Sequence, residues 1–115
     1  MERSPQAEKV TSPYTLLWHS EIKRDLKKIP PAIVEKMVDA VRHRLSLMPD
    51  VIGEPLKGTN NLVWKIRFSE YRILYVIRRQ TKEVWVLSVH HRRFVYTDTH
   101  LQHIMSLALA LQKQR

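Results

Sequence analysis

Apolar residues follow two different periods along this chain, and the change of period separates its helical part from its strands. Between residues 32 and 48 they recur at spacings of three and four, which is typical of a helix with one buried face. Between residues 62 and 68 they alternate with polar residues, which is typical of a strand buried on one side. We therefore expect a long helix in the first half and strands in the second.

Residues that start or stop elements divide the first half further. The stretch YTLLW, residues 14–18, predicts a first strand. Ser20 can cap a short helix that runs to Ile29, and Pro30-Pro31 would end it and open the long helix. The stretch 51–61 holds both glycines of the chain, so we expect a loop there.

The second half predicts three neighbouring strands and a last helix. Strand patterns at 71–77 and 83–89 follow the first one after short polar turns, and short connections imply antiparallel pairing. Thr97 can cap a helix with apolar residues at helical spacing. The expected fold is α+β: a four-stranded antiparallel sheet, an N-terminal helical hairpin packed on one face and a C-terminal helix, with the helices on one side of the sheet.

Length and composition fit one domain. The chain has 115 residues, of which 43% are hydrophobic. We expect residues 1–12 to form a flexible polar arm and residues 13–115 to form the domain. There is no cysteine, no apolar run near the ~20 residues of a membrane span, and no secretory leader pattern, so we expect a cytoplasmic protein without membrane contact.

Positive charge is the strongest functional signal in the composition. Lys and Arg number 20 against 11 Asp and Glu, which gives a net charge of +9. A field of this sign on a small domain favours a polyanionic partner such as nucleic acid.

Three of the cations fall inside the predicted strands. Lys65 and Arg67 are two residues apart and so share a face. Arg72 shares its strand face with apolar residues, where an arginine needs a fixed partner: a phosphate, or the carboxylate of Glu70 or Glu54.

A second basic group, residues 89–96 (VHHRRFVY), follows the last strand. His90 and His91 are adjacent and would point to opposite faces, which argues against one shared metal ion. Arg92, Arg93 and Tyr96 add arginines that grip phosphates and a ring that stacks on bases. A metal held by His100 and His103 lacks a third ligand in sequence, so we expect no metal and no cofactor.

The ordered segments GEPLKG, VWKIRF, YRILYVI and VWVLSVHHRR, followed by a tyrosine, resemble the RelE/ParE superfamily of type II toxin–antitoxin toxins. The resemblance extends from Tyr14 to Tyr96. It implies a fold like that of microbial RNases. Its RelE branch implies a ribosome-dependent mRNA endonuclease that cuts in the A site through attack by the RNA 2′-hydroxyl, without a metal.

Five positions match the RelE site, and the resemblance implies their roles. Lys65, once neutral, would take the 2′-hydroxyl proton, while Arg67 and Arg72 would stabilise the charged transition state. Arg92 would assist the leaving 5′-oxygen, and Tyr96 would stack on or orient a base. Arg67 departs from the best-known RelE, which has lysine there.

Other readings remain open. Related YoeB toxins use a glutamate and a histidine, which would correspond here to Glu54 or Glu70 and to His91. A ParE-like inhibitor of DNA gyrase and a catalytically inactive RNA-binding relative share the fold. We expect Lys57, His90 and Arg93 to contact RNA.

The resemblance also implies partners. These are a RelB-like antitoxin on a separate chain, the ribosome with its mRNA, and operator DNA only through the antitoxin complex.

Overall fold

A mixed sheet of five strands forms the centre of the fold in the computed structural model, which describes residues 13–113. Its strand order is β1-β5-β4-β3-β2. The strands are β1 (Thr15–Trp18), β2 (Glu54–Pro55), β3 (Trp64–Phe68), β4 (Tyr71–Arg78) and β5 (Glu83–His91). The first strand and the antiparallel run β3-β4-β5 are thereby confirmed.

In the described part of the chain four helices accompany the sheet: α1 (Ile22–Leu26), α2 (Pro31–Leu45), α3 (Pro49–Ile52) and α4 (Asp98–Lys113). The long helix and the last helix are those that the spacing predicted, and Thr97 accepts the His100 backbone N–H as expected of a cap. Within residues 13–113, no helix is long and apolar enough to cross a membrane. The predicted arm, residues 1–12, lies outside the described residues.

The expectation of a four-stranded antiparallel sheet is wrong in two respects. β1 pairs with β5 in parallel, from Thr15 opposite Glu83 to Trp18 opposite Val86. A parallel neighbour requires a long crossover, and the chain between β1 and β5 provides one. β2 adds a fifth strand of only two residues, too short for any alternation to reveal it.

The expectation that all helices lie on one side is also wrong. The helical hairpin of α1 and α2 covers one face of the sheet, whereas α4 covers the other. β4 explains this arrangement because six consecutive residues, 73–78, are buried, so both of its faces need cover. Hairpin-side core residues include Met37, Val41, Leu45, Ile73 and Tyr75, and α4-side core residues include Leu74, Val76, Leu87, Ile104 and Ala108.

Helix boundaries differ slightly from those predicted. Ser20 does not cap α1; instead the Glu21 backbone N–H donates to Nδ1 of His19 at 3.2 Å. α2 ends at Leu45 instead of Met48, and α3 occupies the start of the predicted loop.

The segment between α3 and β2 is held by a buried tyrosine. Tyr75 on β4 donates its hydroxyl to the Pro49 carbonyl at 2.6 Å. Gly53 passes so close to this hydroxyl that a Cβ there would lie 2.0 Å from it and 2.8 Å from the Lys65 carbonyl oxygen. The close approach, and not the backbone angle, therefore requires glycine.

We expect Gly53→Ala to lower the free energy of unfolding by about 1–3 kcal/mol, the usual cost of overpacking. Urea denaturation followed by circular dichroism measures it. Tyr75→Phe removes the nearest clashing atom, so the double variant should lose less stability than the two single losses added together. Strictly additive losses would contradict the proposed clash.

Candidate active site

Three of the five predicted catalytic residues, Lys65, Arg67 and Arg72, lie together on the α4 side of the sheet. Cross-strand register sets Arg67 opposite Arg72 and Arg72 opposite His90. Lys65 lies two residues before Arg67 on the same face, opposite Leu74. The shared face of Lys65 and Arg67 that strand periodicity predicted is therefore present in the structure.

The arginines enclose a small open pocket. Arg67, Arg72 and Arg92 line a cavity of about 280 Å³ together with Ser69 and Tyr71. The Arg92 backbone N–H donates to the Glu70 carbonyl at 2.7 Å, which ties the segment after β5 to the β3–β4 turn. This bond brings Arg92 to the other two guanidinium groups.

These guanidinium groups have no acidic partners within the described part of the chain. Among residues 13–113, no carboxylate oxygen lies within 4.0 Å of the side-chain nitrogens of Arg67, Arg72 or Arg92. Neither carboxylate considered for Arg72 reaches it, since Glu54 pairs with Lys65 and Glu70 with His91. The pocket therefore concentrates positive charge and suits an anionic ligand.

Lys65 belongs to an adjoining pocket of about 430 Å³ that shares Arg67 with the first. Its Nζ lies 3.7 Å from Oε1 of Glu54, the residue opposite it on β2. The Glu54 side chain is 72% exposed, so this ion pair is weak and solvent competes with it. Lys65 is thus available to a stronger anion.

A β-bulge decides which way the two histidines point. Leu74 pairs with Ser88 and Tyr75 with Val86, which leaves Leu87 without a partner. After the bulge, His90 lies opposite Arg72 on the α4 side, and His91 lies opposite Tyr71 on the hairpin side. The prediction that they face opposite sides is confirmed.

Of the proposed glutamate–histidine pairs, one is formed and the other is not. Nε2 of His91 lies 2.9 Å from Oε1 of Glu70. This hydrogen bond, with the nearby charge of Arg92, lowers the pKa of the Glu70 carboxyl. Glu54 lies opposite Lys65 and so shares the α4 side, away from His91.

Tyr96 sits in a cluster of rings beside the arginine pocket. The rings of His90 and Phe94 stack at 4.1 Å, and those of Tyr96 and His100 lie 5.4 Å apart. The Tyr96 hydroxyl is buried without a hydrogen-bond partner among residues 13–113. Burial raises the pKa of Tyr96, and the charge of Arg72 partly opposes this shift.

The remaining predicted RNA-contact residues, Lys57 and Arg93, are not among the residues that line these two pockets. Lys57 is exposed in the loop after β2, and Arg93 is exposed after β5. Among the described residues, no group of three side chains could hold a metal ion, and His103 bonds Glu21 at 2.7 Å.

One residue at the site was missed by sequence reasoning. Arg44 on α2 donates from its guanidinium to the Arg67 carbonyl at 2.7 Å and lines the Lys65 pocket. It is 23 positions from Arg67, and nothing in the local pattern connects the two.

Comparison with known proteins identifies the family. The family described as ParE toxin of type II toxin–antitoxin system, parDE, matches residues 16–96, which include every residue of both pockets. The chain belongs to the RelE/ParE superfamily of toxins. The superfamily expected from the sequence is thereby confirmed, and the chain is a toxin of a type II toxin–antitoxin system.

Relatives on the RelE side of the superfamily resemble it in sequence and structure. Toxin RelG of Mycobacterium tuberculosis is 34% identical over 84 residues, which cover 73% of this chain and 97% of RelG. The toxin–antitoxin complex RelBE2 of the same organism contains a chain with TM-score 0.64 and 34% identity, covering 71% of this chain and 94% of that one. A mutant of E. coli toxin RelE in the free state gives TM-score 0.57 at 18% identity, covering 86% and 97%, and supports the fold alone.

The ring cluster predicts loss of stability in mild acid. Burial lowers the pKa of both His90 and His100, only partly opposed by the charge of Asp25, and their Nε2 atoms have no partner among residues 13–113. Because the pKa values of both histidines are lowered in the folded state, the neutral rings contribute their full stability above the ordinary histidine pKa near 6.5. This contribution is lost as the pH falls through the pKa values of the folded protein.

We therefore expect the urea midpoint to fall between about pH 7 and pH 5, the range below an ordinary histidine pKa. A His90→Phe/His100→Phe variant, which retains aromatic rings, should show a smaller fall over this range. An equal fall in the variant and the wild type would contradict the assignment.

Proposed function

We propose that this toxin is a ribosome-dependent, metal-independent endoribonuclease that cuts mRNA in the ribosomal A site. The observation that carries the proposal is the pocket of Arg67, Arg72 and Arg92, three guanidinium groups without acidic partners in the described chain. Phosphoryl transfer needs such unpaired donors, because charge develops on the phosphate oxygens in the transition state.

In this mechanism the substrate supplies its own nucleophile. The 2′-oxygen forms a bond to the adjacent phosphorus, and the bond from phosphorus to the 5′-oxygen breaks, which leaves a 2′,3′-cyclic phosphate. Lys65, in its neutral form, takes the proton from the 2′-hydroxyl, and the departing 5′-oxygen gains a proton from solvent. Arg67 and Arg72 stabilise the extra negative charge, and Arg92 donates a hydrogen bond towards the departing 5′-oxygen.

Lys65 fits the role of base better than Glu54 does. Both lie on the α4 side and line the same pocket as Arg67, but the Lys65 side chain is 31% exposed whereas that of Glu54 is 72% exposed. A Glu54/His91 pair would have to act across the sheet, since the two occupy opposite faces. The Glu70/His91 pair is formed, but His91 lies on the hairpin side of the sheet, opposite the face that carries Arg67 and Arg72.

Binding partners are part of the proposal. Lys57, His90, Arg93 and the ring of Tyr96 would contact the mRNA around the cut. A RelB-like antitoxin would neutralise the toxin, in keeping with the toxin–antitoxin complex that contains its RelBE2 relative. Operator DNA would be reached only through that complex.

A second candidate function is inhibition of DNA gyrase, which the match to the ParE toxin family favours. It does not require the pocket cations, whereas RNA cleavage does. Substitutions in the pocket therefore distinguish the two activities.

We expect wild-type protein to cut ribosome-bound mRNA in a cell-free translation reaction, with 5′ ends mapped by primer extension. Arg72→Ala and Arg92→Ala should each reduce cutting by roughly 10²-fold, as removal of one transition-state donor does. Arg24→Ala on α1 is a matched control and should cut normally. If folded wild-type protein cuts no mRNA but blocks supercoiling by gyrase, the endonuclease proposal is wrong and gyrase inhibition is the better assignment.

Two further variants identify the base. Lys65→Arg keeps the positive charge but cannot accept a proton at neutral pH, so cutting should fall by about 10²–10⁴-fold, the usual contribution of a general base. Glu54→Gln should retain nearly full activity. The reverse pattern, an active Lys65→Arg and an inactive Glu54→Gln, would assign the base to the glutamate.

A further inference from the structure

Arg44 reaches the site from the opposite side of the sheet. It lies in the last turn of α2, among the helices of the hairpin side, and its Nη1 donates to the Arg67 carbonyl at 2.7 Å. β2 pairs with only Trp64 and Lys65 of β3. The rest of that strand edge has no neighbouring strand within residues 13–113, and Arg44 contacts the backbone there.

The pocket beside Arg44 has an excess of positive charge. Arg44, Lys65 and Arg67 line it, against the single carboxylate of Glu54, which is largely in solvent. A guanidinium has five N–H donors, and within the described chain Arg44 uses one of them in a side-chain hydrogen bond. The carbonyl contact fixes the group while leaving donors for an anion.

Arg67 lines both this pocket and the smaller arginine pocket. The two cavities therefore adjoin at Arg67, an arrangement that suits a chain of phosphates better than an isolated anion.

We propose that Arg44 binds an RNA phosphate next to the scissile one, so that the substrate runs from the arginine pocket across the open edge of β3. The inference rests on the proposed function because it names where that site holds the flanking RNA. Arg44 is a binding and positioning residue, and its bond to the Arg67 carbonyl also fixes the strand that carries Arg67.

The test uses a single-stranded oligoribonucleotide whose 2′-hydroxyls are all methylated, so that it cannot be cut. Fluorescence anisotropy gives the Kd between about 50 and 200 mM salt, the range in which phosphate contacts dominate. Arg44→Gln keeps a donor for the carbonyl but removes the charge. We expect it to bind several-fold more weakly at low salt and to reduce the slope of log K against log salt by about 0.7, the value for one phosphate contact on a single strand.

Arg42→Gln is the matched control. It removes the same charge from the same helix, but Arg42 is exposed beside Lys36 and Asp39, away from both pockets. Its salt slope should equal that of the wild type. Arg44→Lys, which keeps the charge, should restore most of the slope.

Equal salt slopes for Arg44→Gln and Arg42→Gln would overturn the inference. So would a lower melting temperature of Arg44→Gln with an unchanged slope, because Arg44 would then only support the backbone. The translation reaction reports separately on the proposed function. If the wild-type protein binds RNA through Arg44 but cuts no mRNA, the Arg44 contact stands and the endonuclease proposal fails. If it cuts mRNA but Arg44 does not affect RNA binding, the endonuclease proposal stands and the Arg44 contact fails.

Discussion

Arg67 and Arg72 lie directly opposite each other on neighbouring strands, and the rest of the site depends on holding this like-charged pair in place. Like charges opposite each other destabilise a sheet. The same two strands compensate with apolar pairs on the hairpin side, Ile66 opposite Ile73 and Trp64 opposite Tyr75. A slip of one residue would expose all of them, so the register is strongly fixed. The core thus stabilises an arrangement that the charges themselves oppose.

Burial of β4 on both faces also restricts the part of the sheet at which the arginine pocket can form. α4 has to cover the apolar part of its side of the sheet, around Leu74 and Val76. The arginines lie at the end of the strands next to the β3–β4 turn, beyond that contact. The ring cluster of His90, Phe94, Tyr96 and His100 joins this end of the sheet to the start of α4. Helix position and site geometry are therefore coupled through these rings.

Local periodicity predicted the features that depend on neighbouring residues. It gave α2 and α4 through apolar residues at helical spacing, and it gave the run β3-β4-β5 and the shared face of Lys65 and Arg67 through short turns and a period of two. Strand direction for β1 depends on a distant partner and was missed. The bulge at Leu87 was also invisible, and plain alternation from Val84 and Val86 would have put His90 on the hairpin side. Arg44 joins the site only through tertiary contact, so no local pattern could reveal it.

The fold alone does not separate an RNA-cutting toxin from one that inhibits a protein, since the superfamily shares it. The electrostatics of the pocket do bear on the choice. A toxin that acts by covering a protein surface would be more stable if nearby carboxylates paired these arginines. Here the available glutamates are directed elsewhere, Glu70 to His91 and Glu54 to Lys65, and the three guanidinium groups remain unpaired within residues 13–113. Unpaired guanidinium groups favour an anionic ligand, and the proposed RNA phosphate is such a ligand because it carries more negative charge in its transition state than at rest.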